Sequence, residues 1–273
     1  MLDKNIVPYQ PNWEIPNHTI DELFPKRSRY CVCIPVINEG LKIRTQLDRM
    51  RAISKDFDVI IADGGSTDNS LALDVISELG VRTLLTKQDT GKLSAQMRIA
   101  FAYAMQQGYE GIITIDGNNK DDPEAITTFA QALDAGFDHI QGSRFIKGGK
   151  EVNTPWVRLF AIKLIHAPLI SLAAGFRYTD TTNGFRAYSR NFLLDPRVAP
   201  FRQVFSGYEL HYYLAIRSAR LGFRVKELPV CRRYPSKGPV PTKISPIKGN
   251  IIVMKTLLKA CLHKYNPPAT NNN

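Results

Sequence analysis

The stretch Asp58-Val-Ile-Ile-Ala-Asp63-Gly-Gly-Ser-Thr-Asp68 decides the fold, together with the later stretch Ile112-Ile-Thr-Ile-Asp116-Gly-Asn-Asn-Lys-Asp-Asp-Pro-Glu124. Each is a short apolar run that ends in an aspartate and continues into turn residues. Such runs are typical of parallel strands covered on both faces, and open α/β sheets bind ligands beyond the carboxyl ends of their strands. The two runs therefore predict one sheet edge that presents carboxylates to a nucleotide and its metal ion.

Strand and helix patterns alternate around these runs, from residue 30 to about residue 142. The periodicity predicts strands at 30–37, 58–62, 81–85, 111–115 and 137–142, and helices at 39–53, 66–80, 93–107 and 123–135. The second half predicts helices at 156–175 and 205–222 and an exposed edge strand at 223–230. The fold class is therefore α/β: a Rossmann-like, doubly wound and mainly parallel sheet with helices on both faces, followed by a helical C-terminal region.

Charge is divided unevenly along the 273 residues, whose net charge is +11. Residues 1–140 carry 14 Lys or Arg and 20 Asp or Glu, whereas residues 141–273 carry 22 and 5. The C-terminal half therefore favours an anionic partner, whether nucleic acid, an anionic membrane surface or a phosphorylated substrate; a merely solvated basic face is the alternative. No recognisable nucleic-acid module accompanies the basic residues, so nucleic acid is not an expected partner.

Each of the two aspartate motifs has a functional and a structural interpretation. Asp63, which precedes a Gly-Gly-Ser turn, is placed to accept hydrogen bonds from a base or ribose, or to cap an ordinary strand-to-helix turn. Asp116 and Asn118 have the spacing that lets a carboxylate and an amide oxygen reach one Mg²⁺ or Mn²⁺ ion, which would neutralise a diphosphate. The structural alternative for that pair is a polar, turn-rich loop.

A resemblance emerges from six segments that follow one another along the chain: Ile34-Pro-Val-Ile-Asn-Glu39, Ala62-Asp-Gly-Gly-Ser-Thr-Asp68, Gly91-Lys-Leu-Ser-Ala-Gln-Met, Ile115-Asp-Gly-Asn through Asp-Pro-Glu124, Gly142-Ser-Arg-Phe-Ile-Lys-Gly-Gly149 and Asp180-Thr-Thr-Asn-Gly-Phe-Arg186. In this order they resemble the family 2 inverting glycosyltransferases, specifically the dolichyl-phosphate mannosyltransferase and polyprenyl-phosphate glycosyltransferase branch. The resemblance covers about residues 30–245. It implies a GT-A-like fold that moves a sugar from a nucleotide-sugar donor, UDP- or GDP-linked, to a lipid-linked phosphate.

The resemblance also implies roles for individual residues. The expected donor-binding residues are Pro35, Glu39, Asp63, Lys92 and Asp116. Asp116 and Asn118 would hold the metal ion, Mg²⁺ or Mn²⁺. The expected acceptor- or phosphate-binding residues are basic, since arginine offers paired donors to phosphate oxygens: Arg144, Arg158, Arg186, Arg233 and Lys243.

Three positions depart from the family pattern. The family metal motif carries Asp-x-Asp-x-Gln, where this chain has Asp116, Asn118 and Lys120. Asp121 or Asp122 is then the expected substitute ligand. The loop 232–243 resembles a family loop that closes over the site, but it begins with an arginine where the family has an aspartate.

The implied mechanism is attack by an oxygen of the acceptor phosphate on the anomeric carbon, opposite the departing diphosphate. A phosphate is already anionic near neutral pH, whereas a hydroxyl acceptor requires a carboxylate to take its proton. Asp180 is the first candidate for that base and Glu209 the second, with Arg186 as the catalytic cation. Alternatively, Asp180 orients Arg186 and Glu209 pairs with Arg217. Two further functions stay open: a family 2 enzyme that extends a capsule or lipopolysaccharide-type glycan at a hydroxyl, and a non-catalytic nucleotide-sugar or anion-binding protein.

The predicted organisation is an N-terminal arm (1–29) that is loosely structured, a glycosyltransferase domain (30–245), a C-terminal helix (246–265) and a disordered tail (266–273). Within the domain, residues 30–142 form the donor half and 143–245 the basic acceptor half. No uninterrupted apolar run reaches the ~18 residues of a membrane span, so we expect a cytoplasmic protein, peripheral at the cytoplasmic face of the membrane. The segment 156–170 has the apolar surface with basic interruptions of an interfacial helix, and 250–263 is either a second one or a contact in a homo-oligomer.

Overall fold

The computed structural model describes residues 10–236 and 248–268. Its strands in chain order are β1 (His18–Glu22), β2 (Tyr30–Val36), β3 (Asp58–Asp63), β4 (Val81–Lys87), β5 (Gly111–Thr114), β6 (His139–Ser143), β7 (Lys150–Val152), β8 (Arg186–Ser189), β9 (Val225–Pro229) and β10 (Cys231–Arg233). Its α-helices are α1 (Leu41–Arg49), α2 (Ile53–Asp56), α3 (Leu73–Glu78), α4 (Leu93–Gln106), α5 (Ile126–Asp134), α6 (Trp156–Ala161), α7 (Ala167–Ala174), α8 (Arg190–Leu194), α9 (Glu209–Arg220) and α10 (Lys248–Cys261).

Eight strands form one sheet in the order β1-β4-β3-β2-β5-β8-β6-β9, and β7 and β10 form a separate parallel pair. Six strands of the large sheet run in one direction, while β1 and β8 run against them. The antiparallel β8, which the sequence did not predict, lies between β5 and β6. The predicted edge strand is confirmed, because β9 lies at the end of the sheet beside β6.

Both faces of the sheet are covered, because successive residues of a buried strand pack into different cores. Cys31 and Cys33 of β2 join a core with α4, α7, α8, α9 and α10. Val32 and Ile34 join the other core, with α1, α3 and α5. Strands that are apolar on both sides suit a sheet between two layers of helices. The predicted α/β class is therefore confirmed.

A single helix runs from Trp156 to Ala174, in which a π-helical turn (Ile162–His166) joins α6 to α7. Pro168 explains the irregularity, since a proline inside a helix lacks the N–H for the carbonyl four residues earlier and crowds that carbonyl. The helix is long and apolar enough to cross a membrane by length and composition alone, although it is not an uninterrupted apolar run. Arg158 and Lys163 interrupt it, and 33% of the apolar window is buried inside the protein.

The N-terminal region is more ordered than expected. β1 pairs antiparallel with β4, with His18 opposite Lys87. The Trp13 ring stacks on Phe201, with 4.0 Å between ring centroids. The expectation of a loosely structured arm is therefore wrong for these residues, and it arose because proline-rich composition concealed a short edge strand. Most of the predicted tail, from residue 269, lies outside the described residues.

Candidate active site

The candidate site lies at the switch point of the strand order, between β2 and β5. β2 and β5 are neighbours, with β3 and β4 on one side and the later strands on the other. Ligands of α/β sheets bind in the crevice at such a switch point. Gln96 of α4 fixes the crevice floor, because its side-chain nitrogen donates to the carbonyls of Val36 and Ala62, each at 2.7 Å.

Asp63 ends β3 at this edge, opposite Val36 of β2. Its carboxylate accepts hydrogen bonds from the backbone nitrogen of Ser66, at 2.9 and 3.0 Å, and from the Ser66 hydroxyl. The structure thus realises the turn-capping interpretation of Asp63. A carboxylate has further acceptor positions, so the predicted contact with a nucleoside stays a prediction.

Asp116 follows β5 and is held against the backbone of Gly184. A Cβ atom at residue 184 would lie 2.2 Å from Asp116 Oδ1, so only a glycine leaves room for the carboxylate. The side chain of Asp116 keeps 26% of its surface exposed, which opens it to the crevice. The geometry therefore presents this carboxylate at the switch point, as the sequence predicted.

The guanidinium of Arg232 lies between two carboxylates. Its Nη2 donates to Asp116 Oδ2 at 2.7 Å, and its Nη1 donates to Asp121 Oδ2. The Arg232 side chain is 7% exposed and that of Asp121 is fully buried. Arg232 therefore bridges the loop after β5 to strand β10.

The ionisation of the two carboxylates follows from this bridge. Burial acts to raise the pKa of Asp116, but the charge and hydrogen bond of Arg232 outweigh burial and hold that pKa below its ordinary value. Burial raises the pKa of Asp121 to about 6, with Arg232 opposing the shift and Asp116 adding to it. Asp116 is therefore the more firmly ionised member of the pair.

Tyr234 is the centre of a cationic cluster, which comprises Lys120, Arg158, Arg232 and the Tyr234 ring itself. The three cationic groups lie 4.9, 5.5 and 5.9 Å from the ring centroid, within the range of cation–π attraction. Arg158 also donates to the Tyr234 hydroxyl at 2.9 Å. Burial raises the pKa of the Tyr234 phenol, but Arg232 and Arg158 outweigh burial and lower that pKa.

Arg144 and Asp180 form a buried ion pair beside this cluster. Arg144 Nε donates to Asp180 Oδ2 at 2.6 Å and Nη2 donates to Oδ1 at 2.9 Å. Thr182 donates to the same carboxylate through its backbone nitrogen and its hydroxyl. Since both side chains are at most 1% exposed, the predicted base Asp180 is enclosed and orients Arg144 rather than Arg186.

Arg186 is fully buried, and its guanidinium donates to three backbone carbonyls, those of Thr181, Asn183 and His211. This arrangement favours a structural role in which Arg186 ties the loop before β8 to α9. The predicted contacts of Arg186 with a phosphate, and its predicted catalytic role, have no support in this arrangement.

Glu209 and Lys92 lie together near the amino ends of α9 and α4. Glu209 Oε2 accepts a hydrogen bond from the backbone nitrogen of Gly207 at 2.6 Å, so the carboxylate binds the turn that leads into its own helix. Lys92 is exposed, and its ammonium lies 5.6 Å from the centroid of the Tyr208 ring. Arg217, the alternative partner of Glu209, donates instead to the carbonyl of Arg197.

The remaining predicted residues lie on the rim or outside the described chain. Pro35 of β2 is partly exposed, and Glu39, 11% exposed, forms an ion pair with Lys42 at 3.6 Å. Arg233 is 53% exposed and pairs with Asp122 at 3.3 Å. Lys243 lies outside the residues that the structure describes.

The described side chains do not fit a divalent ion. Asn118 Oδ1 and Asp121 Oδ1 are buried oxygens that find no hydrogen-bond partner in the described chain, and oxygens of this kind are the ligands that a divalent cation would use. However, Asp116 and Asp121 each give an oxygen to Arg232, and Lys120 is buried in the same cluster. Within residues 10–236 and 248–268, no three His, Cys, Asp or Glu side chains form a group that could hold a metal. A metal ion would have to enter beside two fixed cations, Arg232 and Lys120.

Sequence reasoning missed Tyr234 and Gly184 and noted Arg232 only as a departure from a family pattern. A tyrosine that follows two arginines gives a usable signal, because a ring among cations favours cation–π contacts. Gly184 gave no local signal, since the atom that excludes a side chain there belongs to a residue 68 positions earlier, by the numbering of Gly184 and Asp116.

The fold and the crevice define a class of enzyme. The family model described as Glycosyl transferase family 2 matches residues 31–195, more than half of the chain. The chain belongs to this family. It is a glycosyltransferase with a GT-A fold, as the ordered motifs predicted.

Two curated relatives show which members of the family the chain resembles. The polyprenol monophosphomannose synthase of Mycolicibacterium smegmatis is 28% identical over 207 residues, which cover 74% of this chain and 76% of that protein. The undecaprenyl-phosphate mannosyltransferase of Micrococcus luteus is 28% identical over 206 residues, which cover 74% of this chain and 82% of the relative.

The fold is also that of a solved enzyme. Glucosyl-3-phosphoglycerate synthase from Mycobacterium tuberculosis, solved in complex with Mn²⁺, uridine diphosphate and phosphoglyceric acid, matches with a TM-score of 0.61. The match covers 88% of this chain and 80% of that one, at 17% sequence identity. At this identity the likeness establishes the architecture and leaves the substrates to other arguments.

Proposed function

We propose that this protein is an inverting glycosyltransferase that moves a sugar from a nucleoside-diphosphate donor to a polyprenyl phosphate. One observation carries the proposal: Arg158 donates to Tyr234 at 2.9 Å and so joins the crevice to α6. On the same helix, Trp156, Val157 and Phe160 are 77%, 58% and 55% exposed. The cationic cluster therefore adjoins the exposed apolar surface of α6. This arrangement suits a substrate with an anionic head and an apolar tail.

The apolar surface extends along two helices that both pack on α9. Leu164 and Leu172 of the long helix are 61% and 79% exposed, and Ile251 and Leu262, in and just after α10, are 50% and 66% exposed. Large exposed apolar patches mark interaction surfaces, and Lys163 and neighbouring basic residues would meet anionic lipid headgroups. We therefore infer a peripheral position on the membrane, which the lipid substrates named in both curated relatives support.

The chemistry requires one bond to form and one to break. An oxygen of the acceptor phosphate forms a bond to the anomeric carbon while the bond from that carbon to the donor's diphosphate breaks, and the diphosphate leaves with the electron pair. The anionic acceptor needs no base. This agrees with the enclosure of Asp180 and the hydrogen bond of Glu209 to the backbone of Gly207, since a hydroxyl acceptor would need one of these carboxylates free.

The donor is proposed to lie at the switch point, with its nucleoside near Asp63 and its diphosphate near Asp116 and the cationic cluster. Leaving diphosphates gain charge as the bond breaks, and fixed cations stabilise that charge. UDP and GDP carriers both satisfy this chemistry. Base identity depends on the crevice walls rather than on the cations.

The test follows release of nucleoside diphosphate from a panel of nucleotide sugars, with and without a short polyprenyl phosphate, in Mn²⁺ and in EDTA. We expect release that requires the lipid and is lost in Asp116→Ala. Arg158→Gln should raise the KM for the lipid phosphate by about tenfold, because a charge-assisted hydrogen bond is lost. The control Arg29→Gln removes an exposed arginine that pairs with Glu110 and Asp134 instead.

Two outcomes would redirect the proposal. Lipid-independent release that Asp116→Ala abolishes would favour a hydroxyl acceptor and a glycan-extending enzyme. Binding of nucleotide without release from any donor, lipid present or absent, would favour a non-catalytic binding protein.

A further inference from the structure

Arg232 is fixed by its backbone as well as by its side chain. Its strand β10 pairs with β7, and its main chain forms an isolated bridge with that of Asp121. The backbone nitrogen of the next residue, Arg233, donates to the carbonyl of Lys120 at 2.8 Å. Backbone pairing and side-chain hydrogen bonds therefore both hold Arg232 in place. The position of its guanidinium beside Asp116 is preorganised.

The charges in this part of the site already balance. Asp116 and Asp121 supply two negative charges, and Arg232 and Lys120 supply two positive charges within the same group of side chains. Arg158 adds one more cation at the Tyr234 ring. A divalent ion would leave this group strongly positive before any substrate arrives, whereas a diphosphate brings the negative charge that it lacks.

We propose that Arg232, supported by Lys120, takes the place of a divalent cation in this chain and binds the diphosphate of the donor directly. Asp116 and Asp121 orient the guanidinium instead of ligating a metal. They take two of its five N–H groups, so donors remain for phosphate oxygens among the contacts described. The inference rests on the proposed function, because it concerns the leaving group of that reaction.

This arrangement has a direct chemical consequence. As the bond to the anomeric carbon breaks, negative charge grows on the diphosphate, and a fixed guanidinium stabilises it without rearrangement. A chelator cannot remove an arginine. Nucleotide binding and transfer therefore persist in EDTA.

The alternative hypothesis is that a metal ion displaces the Arg232 guanidinium from this position when the ion binds. Asn118 Oδ1 and Asp121 Oδ1 would then become ligands together with Asp116. The two alternatives predict opposite effects of Mn²⁺ on nucleotide binding. Since binding is measured without turnover, the comparison does not depend on knowing the acceptor.

The first experiment measures binding of GDP and of UDP to the full chain by calorimetry, in EDTA and in Mn²⁺, with bound Mn²⁺ counted by electron paramagnetic resonance. We expect one nucleotide to bind with affinities that agree within about threefold in the two buffers, and no stoichiometric bound Mn²⁺. Binding that requires Mn²⁺, with one ion per chain, would overturn the inference and leave the proposed function standing. Failure of both nucleotides in both buffers would overturn the two together.

Variants sharpen the test. Arg232→Gln should weaken nucleotide binding in EDTA by about tenfold or more, since a hydrogen-bonded charge is lost. Arg232→Asp should create a bound-Mn²⁺ signal and make nucleotide binding depend on Mn²⁺, because a third carboxylate joins Asp116 and Asp121. The control Arg197→Gln removes an exposed arginine that pairs with Asp195 and should change neither measurement.

Thermal unfolding of each variant comes first, so that a misfolded protein is not counted as a binding defect. Lys120→Gln provides a second variant in the same cluster, with weaker binding expected in EDTA. Unchanged nucleotide binding in folded Arg232→Gln and folded Lys120→Gln would overturn the inference.

Discussion

Arg144 and Asp180 meet in a two-point ion pair that is closed to solvent, with contacts of 2.6 and 2.9 Å. The pair joins the loop after β6 to the loop before β8, and therefore holds the wall of the crevice behind the cationic cluster. Buried pairs of this kind contribute little net stability, but removing one partner leaves an uncompensated charge in the interior.

Asp180→Asn should therefore destabilise the protein strongly. Removal of the carboxylate charge leaves Arg144 buried without a counter-ion, and we expect a loss of about 3–5 kcal/mol in the free energy of unfolding. Urea unfolding measures this loss, provided that the m-value is the same in the variant and the wild type. Asp195→Asn, in an exposed ion pair with Arg197, serves as the control and should have a much smaller effect. A variant at Asp180 with wild-type stability and no turnover would instead restore its predicted role as a base.

Gly184→Ala should disable the donor site. The new methyl group would lie 2.2 Å from Asp116 Oδ1, so the carboxylate must move and Arg232 loses a partner. We expect nucleoside-diphosphate binding to weaken by about tenfold or more, as for loss of one charge-assisted contact.

The control for this substitution is Gly222→Ala. Gly222 has a φ of +79° and open space around its Cβ position, and it lies between α9 and β9, away from the crevice. The Gly222→Ala variant should lose about 1–2 kcal/mol in the free energy of unfolding through backbone strain and should bind nucleotide with wild-type affinity. Equal affinity in Gly184→Ala and wild type would show that the position of Asp116 does not matter for the donor.

The ends of β3 and β5 could be predicted from the sequence because the information is local. An apolar run that closes on an aspartate and a turn has few structural solutions, so Asp63 and Asp116 were placed at the correct sheet edge. The antiparallel β8 could not be predicted from such patterns. It is a four-residue strand, Arg186–Ser189, whose place between β5 and β6 is decided by tertiary pairing.

The pairing of charges could not be predicted either, since it joins distant parts of the chain. The chain offers several arginines for each buried carboxylate, and a motif does not say which of them meet. The structural alternative for Asp180 paired it with Arg186, six residues away, but it binds Arg144, which is 36 residues away. Arg232 reaches Asp116 across 116 residues. Roles that depend on such contacts need the fold.

The buried His139 and the partly buried His211 should make the protein sensitive to acid. Burial, with Arg186 adding to it, holds the pKa of His139 well below its ordinary value and lowers that of His211 to about 3. Both are neutral in the folded protein, while the unfolded chain gains protons below about pH 6.5. Stability should therefore fall as the pH drops from about 6.5 toward 3, by about 1.4 kcal/mol per pH unit for each histidine.

Urea midpoints between about pH 7 and pH 5 measure this slope. His139 stacks on Tyr188 and bonds to the Ser218 hydroxyl at 2.9 Å. The His139→Asn variant should show a shallower pH dependence of the free energy of unfolding than the wild type, whatever stability the substitution costs at neutral pH. His263→Asn, at an exposed position, should keep the wild-type slope. An identical slope in both variants would exclude His139 as a source of the acid sensitivity.

The apolar face of α6 should bind membranes. Trp156 and Phe160 are more than half exposed, and Lys163 beside them is placed to meet anionic headgroups. Burial of one such aromatic side chain in lipid contributes about 1.5–3 kcal/mol, so Trp156→Ser with Phe160→Ser should weaken binding to anionic vesicles by at least tenfold. Co-sedimentation with vesicles at two salt concentrations measures the effect. Higher salt should weaken vesicle binding by the wild-type protein, because salt screens its attraction to anionic headgroups. Leu73→Ser, an equivalent change on the exposed side of α3, should bind as the wild type does. Unchanged sedimentation of the double variant, together with a smaller oligomer in solution, would instead identify this face as a contact between copies of the chain.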